Sequence, residues 1–548
     1  MRAELLLSQS DYHIIRNYTL QDQDHENGVV IFCGTNRVKD KIQFLAKDIE
    51  LLTAADLDNH SNIRLTIKNK KQKENLIRAS KAKLSIINCH GHQFAQRAVF
   101  SSLDDETDNN LSHFFKKYLP NVYFGSLLFS QNDCIGRFFD KESETLKDID
   151  QIKIFDQPQT VEEGNISSVY DRNVRAFGSL GQARISKTRV IQIGCGGTGW
   201  HIAQQLVGMG VIDLVLIDFD LIEQTNLNRL TAAPYSSIGE AKAKVLAKIL
   251  QSMNPNIRVR YLIGSALDAE ALQEIKECDI VIGAVDSDLI RFELNKLAVR
   301  YLKPYLDVGT RIFQEDGKIT TAGGQVNVII PGQSPCLACH SQLQWKQIFY
   351  EDLEDYEQEF EVNQGYITGV NIPAPAVVSI NGILSSALVT EFLKLVTGLK
   401  KTNYYTYYDC MAENNPMKNI KMKRDPNCLV CHQDFYLAYG DEIAEDNSKD
   451  GLNTFLKEFD HEQQRRDSEF LNTTTNSNGR TSKNDSLRAR TSHSSGAERI
   501  SSELLEPIST TGSSADQAST SRTKSARSGY FRYWRRKSWF RRYTNHCK

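Results

Sequence analysis

At 548 residues the chain is long enough for two or three domains with separate cores, and 40% apolar and 24% charged residues are ordinary for a globular protein. A formal net charge of −2 excludes the whole-chain attraction to nucleic acid or anionic membrane that a strongly basic protein would show. The N-terminus turns polar too soon for a secretory signal, and the most apolar helical stretch, around 379–398, carries Asn381, Glu391 and Lys394, so a buried helix is expected there and no membrane span.

Residues 1 to about 158 mix strand-like runs (Val29–Cys33, Leu84–Asn88, Tyr123–Phe129) with polar helical stretches. The second run leads into Cys89-His90-Gly91-His92, and residues two apart on a strand face one way, so both imidazoles can grip one metal ion. Downstream, Ser101-Ser102-Leu103-Asp104-Asp105 opens a helical stretch. Two imidazoles and a carboxylate leave a fourth zinc position for water, which is the arrangement of hydrolytic zinc. A carboxylate base is still needed, and Glu26 precedes the first run. This set resembles the JAMM/MPN metallopeptidases, whose motif is a Glu, then His-x-His-Pro, then Ser-x-x-Asp. The resemblance implies a JAB/MPN-like α/β domain over 1–158, with Glu26 as general base and Ser101 as oxyanion donor. It also implies His90, His92 and Asp104 as ligands of a catalytic Zn²⁺, and later strands at 123–129 and 133–139. Three features depart from it. Gln93 occupies the usual proline position, the gap from His92 to Asp104 is one residue longer than common, and Glu26 lacks a strong surrounding motif; Asp105 is the fallback ligand.

A polar linker, Gln157–Ser168, follows, and from Tyr170 to about Gly440 strands and helices alternate. The expected elements are a strand at Val190–Ile193, a helix from Gly199, a strand at Leu214–Ile217, a helix around Ala241–Gln251 and a strand at Ile280–Ala284. Such alternation favours a parallel sheet covered by helices. The first strand runs into Gly194-Cys195-Gly196-Gly197-Thr198-Gly199, where backbone can approach a phosphate and the helix N-terminus supplies unpaired N–H groups. With Asp218 closing the next strand, this much equally suits a nicotinamide dinucleotide. The sequence then departs from a dehydrogenase: Asn226, Arg229, Gly239-x-x-Lys242, Asp286 and Arg291 are tools of polyphosphate chemistry, and no P-loop Lys-Ser/Thr ending is present.

The block from Val190 to Arg291 resembles the ThiF/MoeB and ubiquitin-activating enzyme superfamily. The resemblance implies a Rossmann-like domain over 165–440 that uses ATP and Mg²⁺ to adenylate the C-terminal glycine carboxylate of a ubiquitin-like or sulfur-carrier protein. It implies Gly194, Gly196, Gly197 and Gly199 for the phosphate turn, Asp218 for the ribose, Asn226, Arg229 and Lys242 for the phosphates, and Asp286 for Mg²⁺. Tyr170-Asp171-Arg172-Asn173 is similar to the family's segment that lends an arginine to the partner subunit's nucleotide, which makes Arg172 the candidate and a homodimer the expected assembly.

Of the eleven cysteines, four form two hooks, Cys336-x-x-Cys339 and Cys428-x-x-Cys431, which together give the closed tetrahedral set of a structural Zn²⁺ in a reducing, cytoplasmic setting. Cys410 is the only cysteine between the hooks, and its place at the end of a tyrosine-rich strand, Tyr404–Tyr408, reads as a packed thiol more than as a thioester-forming nucleophile for a downstream transfer enzyme. After Asp441 the chain fills with Ser, Thr, Asn and Arg and is expected to be mostly disordered, apart from an amphipathic stretch at 452–471. The basic, aromatic run at 530–543 carries no assignment to nucleic acid or membrane. The readings that compete with a carrier-protein adenylyltransferase joined to a peptidase are adenylation of a peptide or other small carboxylate, a nicotinamide oxidoreductase, and a scaffold that binds ubiquitin-like proteins without chemistry.

Overall fold

A computed structural model describes residues 1–22, 25–60, 65–315, 317–340, 343, 348, 351, 375–428 and 430–441. The expected features at 452–471 and 530–543, and the tail from 442, lie outside the described residues. The protein is α/β, with two eight-stranded sheets, one in each half of the compact unit Met1–Arg466.

In chain order the N-terminal half contains β1 (Arg2–Leu7), α1 (Gln9–Leu20), β2 (Val29–Val38), β3 (Lys41–Leu51), β4 (Leu57–His60), β5 (Leu65–Ile67), α2 (Asn69–Ala82) and β6 (Ser85–Gly91). It continues with α3 (Ser102–Tyr118), β7 (Phe124–Phe129), β8 (Cys134–Asp140), β9 (Thr145–Asp148) and β10 (Gln151–Ile154). The sheet order is β10-β1-β3-β2-β6-β7-β8-β9, of mixed direction, and β4 pairs with β5 separately. Alternate residues of the central strands go to opposite faces. Val29, Ile31 and Cys33 pack with Ile15 of α1, whereas Val30 and Phe32 pack with Leu76 and Ala79 of α2 and with Phe114 and Phe115 of α3. A strand apolar on both faces must be covered twice, and these helices do it.

The second half contains α4 (Asp171–Lys187), β11 (Arg189–Ile193), α5 (Gly197–Met209), β12 (Asp213–Ile217), α6 (Lys242–Met253), β13 (Arg258–Leu262), α7 (Ala269–Glu277) and β14 (Ile280–Gly283). Then come α8 (Asp288–Arg300), β15 (Tyr305–Glu315), β16 (Lys318–Ile329), α9 (Val378–Thr397), β17 (Tyr405–Asp409) and β18 (Met417–Asn419). Strands β13-β12-β11-β14-β15 are parallel, and β16, β17 and β18 extend the sheet antiparallel. Val190 faces Trp200 and Leu206 of α5, Leu246 of α6 and Phe392 of α9, while Ile191 and Ile193 face Ile275 of α7 and Leu297 of α8. This is the doubly wound, Rossmann-like arrangement.

The helix expected from Gly199 begins two residues earlier, because Gly196 is the extended N-cap (φ −75°, ψ −165°) and Gly197 is already helical. Among the described residues, α9 is long and apolar enough to cross a membrane by length and composition, but Asn381 and Glu391 are buried within the protein and Glu391 holds Lys394 at 2.6 Å.

Candidate active sites and metal centres

Parallel pairing delivers the glycine turn, Asp218 and Asp286 to one edge of the sheet. β11 lies between β12 and β14 with Ile193 opposite Ile217 and Gly283, so the residues after all three strands emerge side by side. Gly194 N–H donates to Ile217 O at 2.9 Å, and Ala284 N–H to Ile193 O at 2.8 Å. Gly194 has φ +93° and its missing Cβ would stand 2.4 Å from the Ala284 carbonyl, so no other residue fits. At Gly196 an added Cβ would meet nothing within 4 Å, which leaves the open approach to backbone that a phosphate needs.

Asp218 closes the turn from the neighbouring strand: its Oδ2 accepts from Cys195 N–H at 2.6 Å and its Oδ1 from Asp220 N–H at 2.7 Å. Burial pushes its carboxyl above the ordinary range, against the pull of those two amides and Lys242. Lys242, the first residue of α6, sets its ammonium 2.6 Å from Asp220. The Arg229 side chain runs along Gly197, its Cδ 3.1 Å from where a Cβ would sit, and its guanidinium donates to Thr225 O at 2.8 Å. Asn226 is buried beside it, accepting from Glu223 N–H at 3.2 Å. Asp286 is exposed, two residues beyond the Ala284 that touches Gly194.

Two arginines lie away from this edge. Arg291 does not join this edge: it is buried, paired with Asp307 through 2.9 and 2.6 Å contacts and with Asp288 at 2.8 Å, because α8 must be fastened to β15 without stranding a charge. Arg172 sits exposed on the first turn of α4, where Asn173 donates to Met209 O and Tyr170 lies against Gly210, at the far end of α5 from the glycine turn. Thirteen helical residues separate those ends by about 20 Å. Sequence reading missed Gln192. Fully buried on β11, it donates to Gly194 O at 3.0 Å and Gly199 O at 2.9 Å, holding two carbonyls of the turn inward. A polar residue inside an otherwise apolar strand, two before the turn, was its signal.

In the N-terminal half, β2 and β6 are antiparallel with Val29 opposite Cys89 and Cys33 opposite Ser85; carried outward, that register sets Glu26 against His92. His92 Nε2 and Glu26 Oε1 are 3.9 Å apart. His90 Nε2 is buried 3.1 Å from Asp104 Oδ1, and His92 Nε2 is 3.7 Å from Asp104 Oδ2. One donor atom from each of the three lies within 4.8 Å of the others. Ligands at 2.0–2.1 Å on a tetrahedral ion would stand roughly 3.4 Å apart, so the set fits zinc with a position left open.

Asp104, not Asp105, faces the histidines for a local reason. Ser101 and Asp104 form the capping box of α3: Asp104 Oδ2 accepts from Ser101 N–H at 2.7 Å and from its hydroxyl at 2.8 Å, which turns Oδ1 toward His90. Asp105 points instead to Arg137, 2.5 Å away. The Ser101 hydroxyl, expected as an oxyanion donor, is therefore engaged as a helix cap. Burial raises Glu26 above the ordinary carboxylate range, with Asp104 adding to the rise and His90 opposing it. Gln93, where proline was expected, is buried and donates to the carbonyls of Asp22 and His25 at 2.6 and 2.7 Å, tying down the segment that carries Glu26.

The two cysteine hooks meet. Cys336 and Cys428 sulfurs are 3.6 Å apart, Cys336 and Cys339 3.8 Å, and Cys339 and Cys431 3.5 Å. Four sulfurs at 2.3 Å from one ion would be separated by about 3.8 Å, so the set fits a closed zinc site; Leu429 lies outside the described residues. Cys336 N–H and Val430 N–H point at sulfurs within the hooks, at 3.4 and 3.5 Å, as they would at thiolates. Cys410 corrects the sequence reading: the strand ends at Asp409, the chain turns, and the thiol is exposed instead of packed.

Comparison with known proteins agrees with the second half. Residues 170–430 match the ThiF family. The chain is 28% identical over 268 residues to Escherichia coli molybdopterin-synthase adenylyltransferase, covering 48% of this chain and 96% of that protein. It is 28% identical to a Thermus thermophilus sulfur carrier protein adenylyltransferase, covering 46% and 86%. With the Meyerozyma guilliermondii adenylyltransferase and sulfurtransferase UBA4 it shares 25%, spanning only 56% of that protein. A structure of E. coli MccB with ATP overlaps at a TM-score of 0.38 and 20% identity, covering 48% of this chain and 75% of that one. None of these likenesses identifies the N-terminal half, whereas residues 170–430 are a ThiF-family domain.

Proposed function

We propose that the second half adenylates the C-terminal carboxylate of a ubiquitin-like or sulfur-carrier protein. The observation that carries this is the convergence of the glycine turn, Asp218, Arg229, Lys242 and Asp286 on one edge of the parallel sheet, the usual ligand edge of such sheets. The names of the relatives supply the substrate class. A carboxylate oxygen attacks the α-phosphorus of ATP, the bond to the β-phosphate oxygen breaks, and pyrophosphate leaves as the acyl-adenylate forms. N–H groups of the turn and the cations Arg229 and Lys242 stabilise charge growing on the phosphates, Asn226 orients them, Asp218 takes the ribose hydroxyls, and Asp286 would hold a Mg²⁺ ion that would offset charge on the pyrophosphate. Arg172 is too far from its own turn, so a second copy of the chain receives it and the enzyme works as a homodimer. The test is ATP–pyrophosphate exchange with candidate proteins ending in Gly-Gly, against short peptides as the alternative substrate. Exchange that persists in Asp286→Ala would remove the magnesium role, and exchange driven only by peptides would replace the carrier protein.

A second activity is favoured by the open three-ligand set. We propose that the first half is a zinc peptidase acting on a ubiquitin-like precursor or conjugate. A zinc ion held by His90, His92 and Asp104 would supply Lewis acidity; Glu26 takes a proton from the water that attacks the scissile carbonyl carbon and passes it to the amine as the C–N bond breaks. Incubating the full chain with a carrier extended beyond its terminal glycine tests this. Cleavage that survives Glu26→Gln, or no cleavage of any extended carrier, would retire the reading.

A further inference from the structure

The segment that follows the second cysteine hook belongs physically to the other half of the protein. From His432 to Asp441 it runs along β2 and β3 of the N-terminal sheet. Lys47 of β3 donates to the carbonyls of Gln433 and Leu437, the latter at 2.9 Å, and lies 3.7 Å from the centre of the Tyr439 ring. Tyr439 packs with the N-terminal core that contains Phe32 and Phe114. Gly34 of β2 sits so close that a Cβ there would meet the Ala438 carbonyl at 2.1 Å.

Gly440 then forms a single parallel bridge to Thr35, and Asp441 N–H donates to Thr35 O at 2.6 Å. The Asp441 carboxylate joins both halves at once. It accepts from Arg37 N–H at 2.8 Å on one side, and from Tyr301 at 2.9 Å and Lys276 at 2.5 Å on the other. Ala438 and Gly440 are in turn held by Val299 and Arg300 carbonyls at the end of α8.

The start of this segment is fixed by the cysteines. His432 N–H bonds Cys428 O, Tyr436 N–H bonds Val430 O, and Arg424 reaches both the Cys431 sulfur, at 3.4 Å, and the Gly332 carbonyl. Residues 430–441 form no helix or strand of their own, and a metal ion that draws two distant hooks together would fix where this turn-rich segment starts. We infer that the four-cysteine centre works as a clasp: its ion shapes residues 430–441 into one part of the surface on which the N-terminal sheet is seated. This rests on the zinc reading of the cysteines and is independent of the adenylation and peptidase chemistry.

The test uses the full chain carrying His90→Ala, so that the four-cysteine centre is the zinc site left, with metal analysis and hydrogen exchange before and after chelation. Peptides spanning 34–38 and 436–441 are expected to exchange at least about tenfold faster once zinc is removed, while 189–193 and 213–217 stay protected, and added Zn²⁺ should reverse the change. A second variant, Asp441→Ala with zinc in place, should raise exchange at 34–38 on its own. Continued protection of 34–38 after zinc removal would overturn the inference. So would loss of protection throughout the second sheet, since the ion would then hold that fold and not the clasp. Absence of bound zinc, or unchanged exchange in Asp441→Ala, would overturn it too.

Discussion

The glycine-turn site and the His90–His92–Asp104 centre are built in opposite ways. At the first, neighbouring parallel strands end together, so backbone alone brings Gly194, Asp218 and Asp286 to one edge. At the second, side chains arrive from three separate segments, each aimed by its own device. Antiparallel register aims Glu26, strand alternation aims the histidines, and a capping box aims Asp104. A site made by backbone should fail when backbone is disturbed; one made by converging side chains should fail one side chain at a time.

The largest expected effect tests the first half of that contrast. Gly194→Ala should abolish pyrophosphate exchange and cost about 3 kcal/mol in denaturant unfolding, because its φ of +93° and the Ala284 carbonyl at 2.4 Å both oppose a side chain. Unfolding like wild type would break the comparison. Next, Lys242→Ala should slow exchange by about 10²–10³-fold with stability and zinc content unchanged, as expected of one charge acting at the transition state. Equal loss of stability would make the Asp220 pair structural. Third, Asp104→Asn should weaken zinc binding at the N-terminal centre by at least about 10-fold, measured by competition with a chelator, whereas Asp105→Asn should leave it intact. The reverse ranking would restore Asp105 as ligand. Smallest, Ser101→Ala should lower stability by about 1 kcal/mol through loss of the cap. A fall in peptide cleavage well beyond that would give Ser101 the oxyanion role that the resemblance implies.

The same contrast decides what could be read from sequence. Glycine turn, strands and following acids lie within one hundred or so residues in a repeating strand–helix order, and local chemistry marks each of them. The misreadings come from interactions that spacing does not carry. Arg291 stands where a phosphate ligand could, yet Asp307 on the neighbouring strand claims it. Cys410 follows a strand rich in tyrosine, yet one turn after Asp409 exposes it. The choice between Asp104 and Asp105 was legible in principle, since Ser-x-x-Asp before a helix is itself a capping pattern that commits the third residue after the cap. Nothing in the sequence signalled that Lys47 would meet Gln433 and Leu437, because that contact depends on how two complete domains dock.

The docking of Asp441 across both halves bears on how the protein would respond to being cut. Glu162 and Glu163 are exposed in the linker, where a glutamate-specific protease can reach them. Severing the chain there leaves Arg37 and Lys47 still gripping residues 433–441, so the two fragments should travel together through gel filtration as a nicked whole.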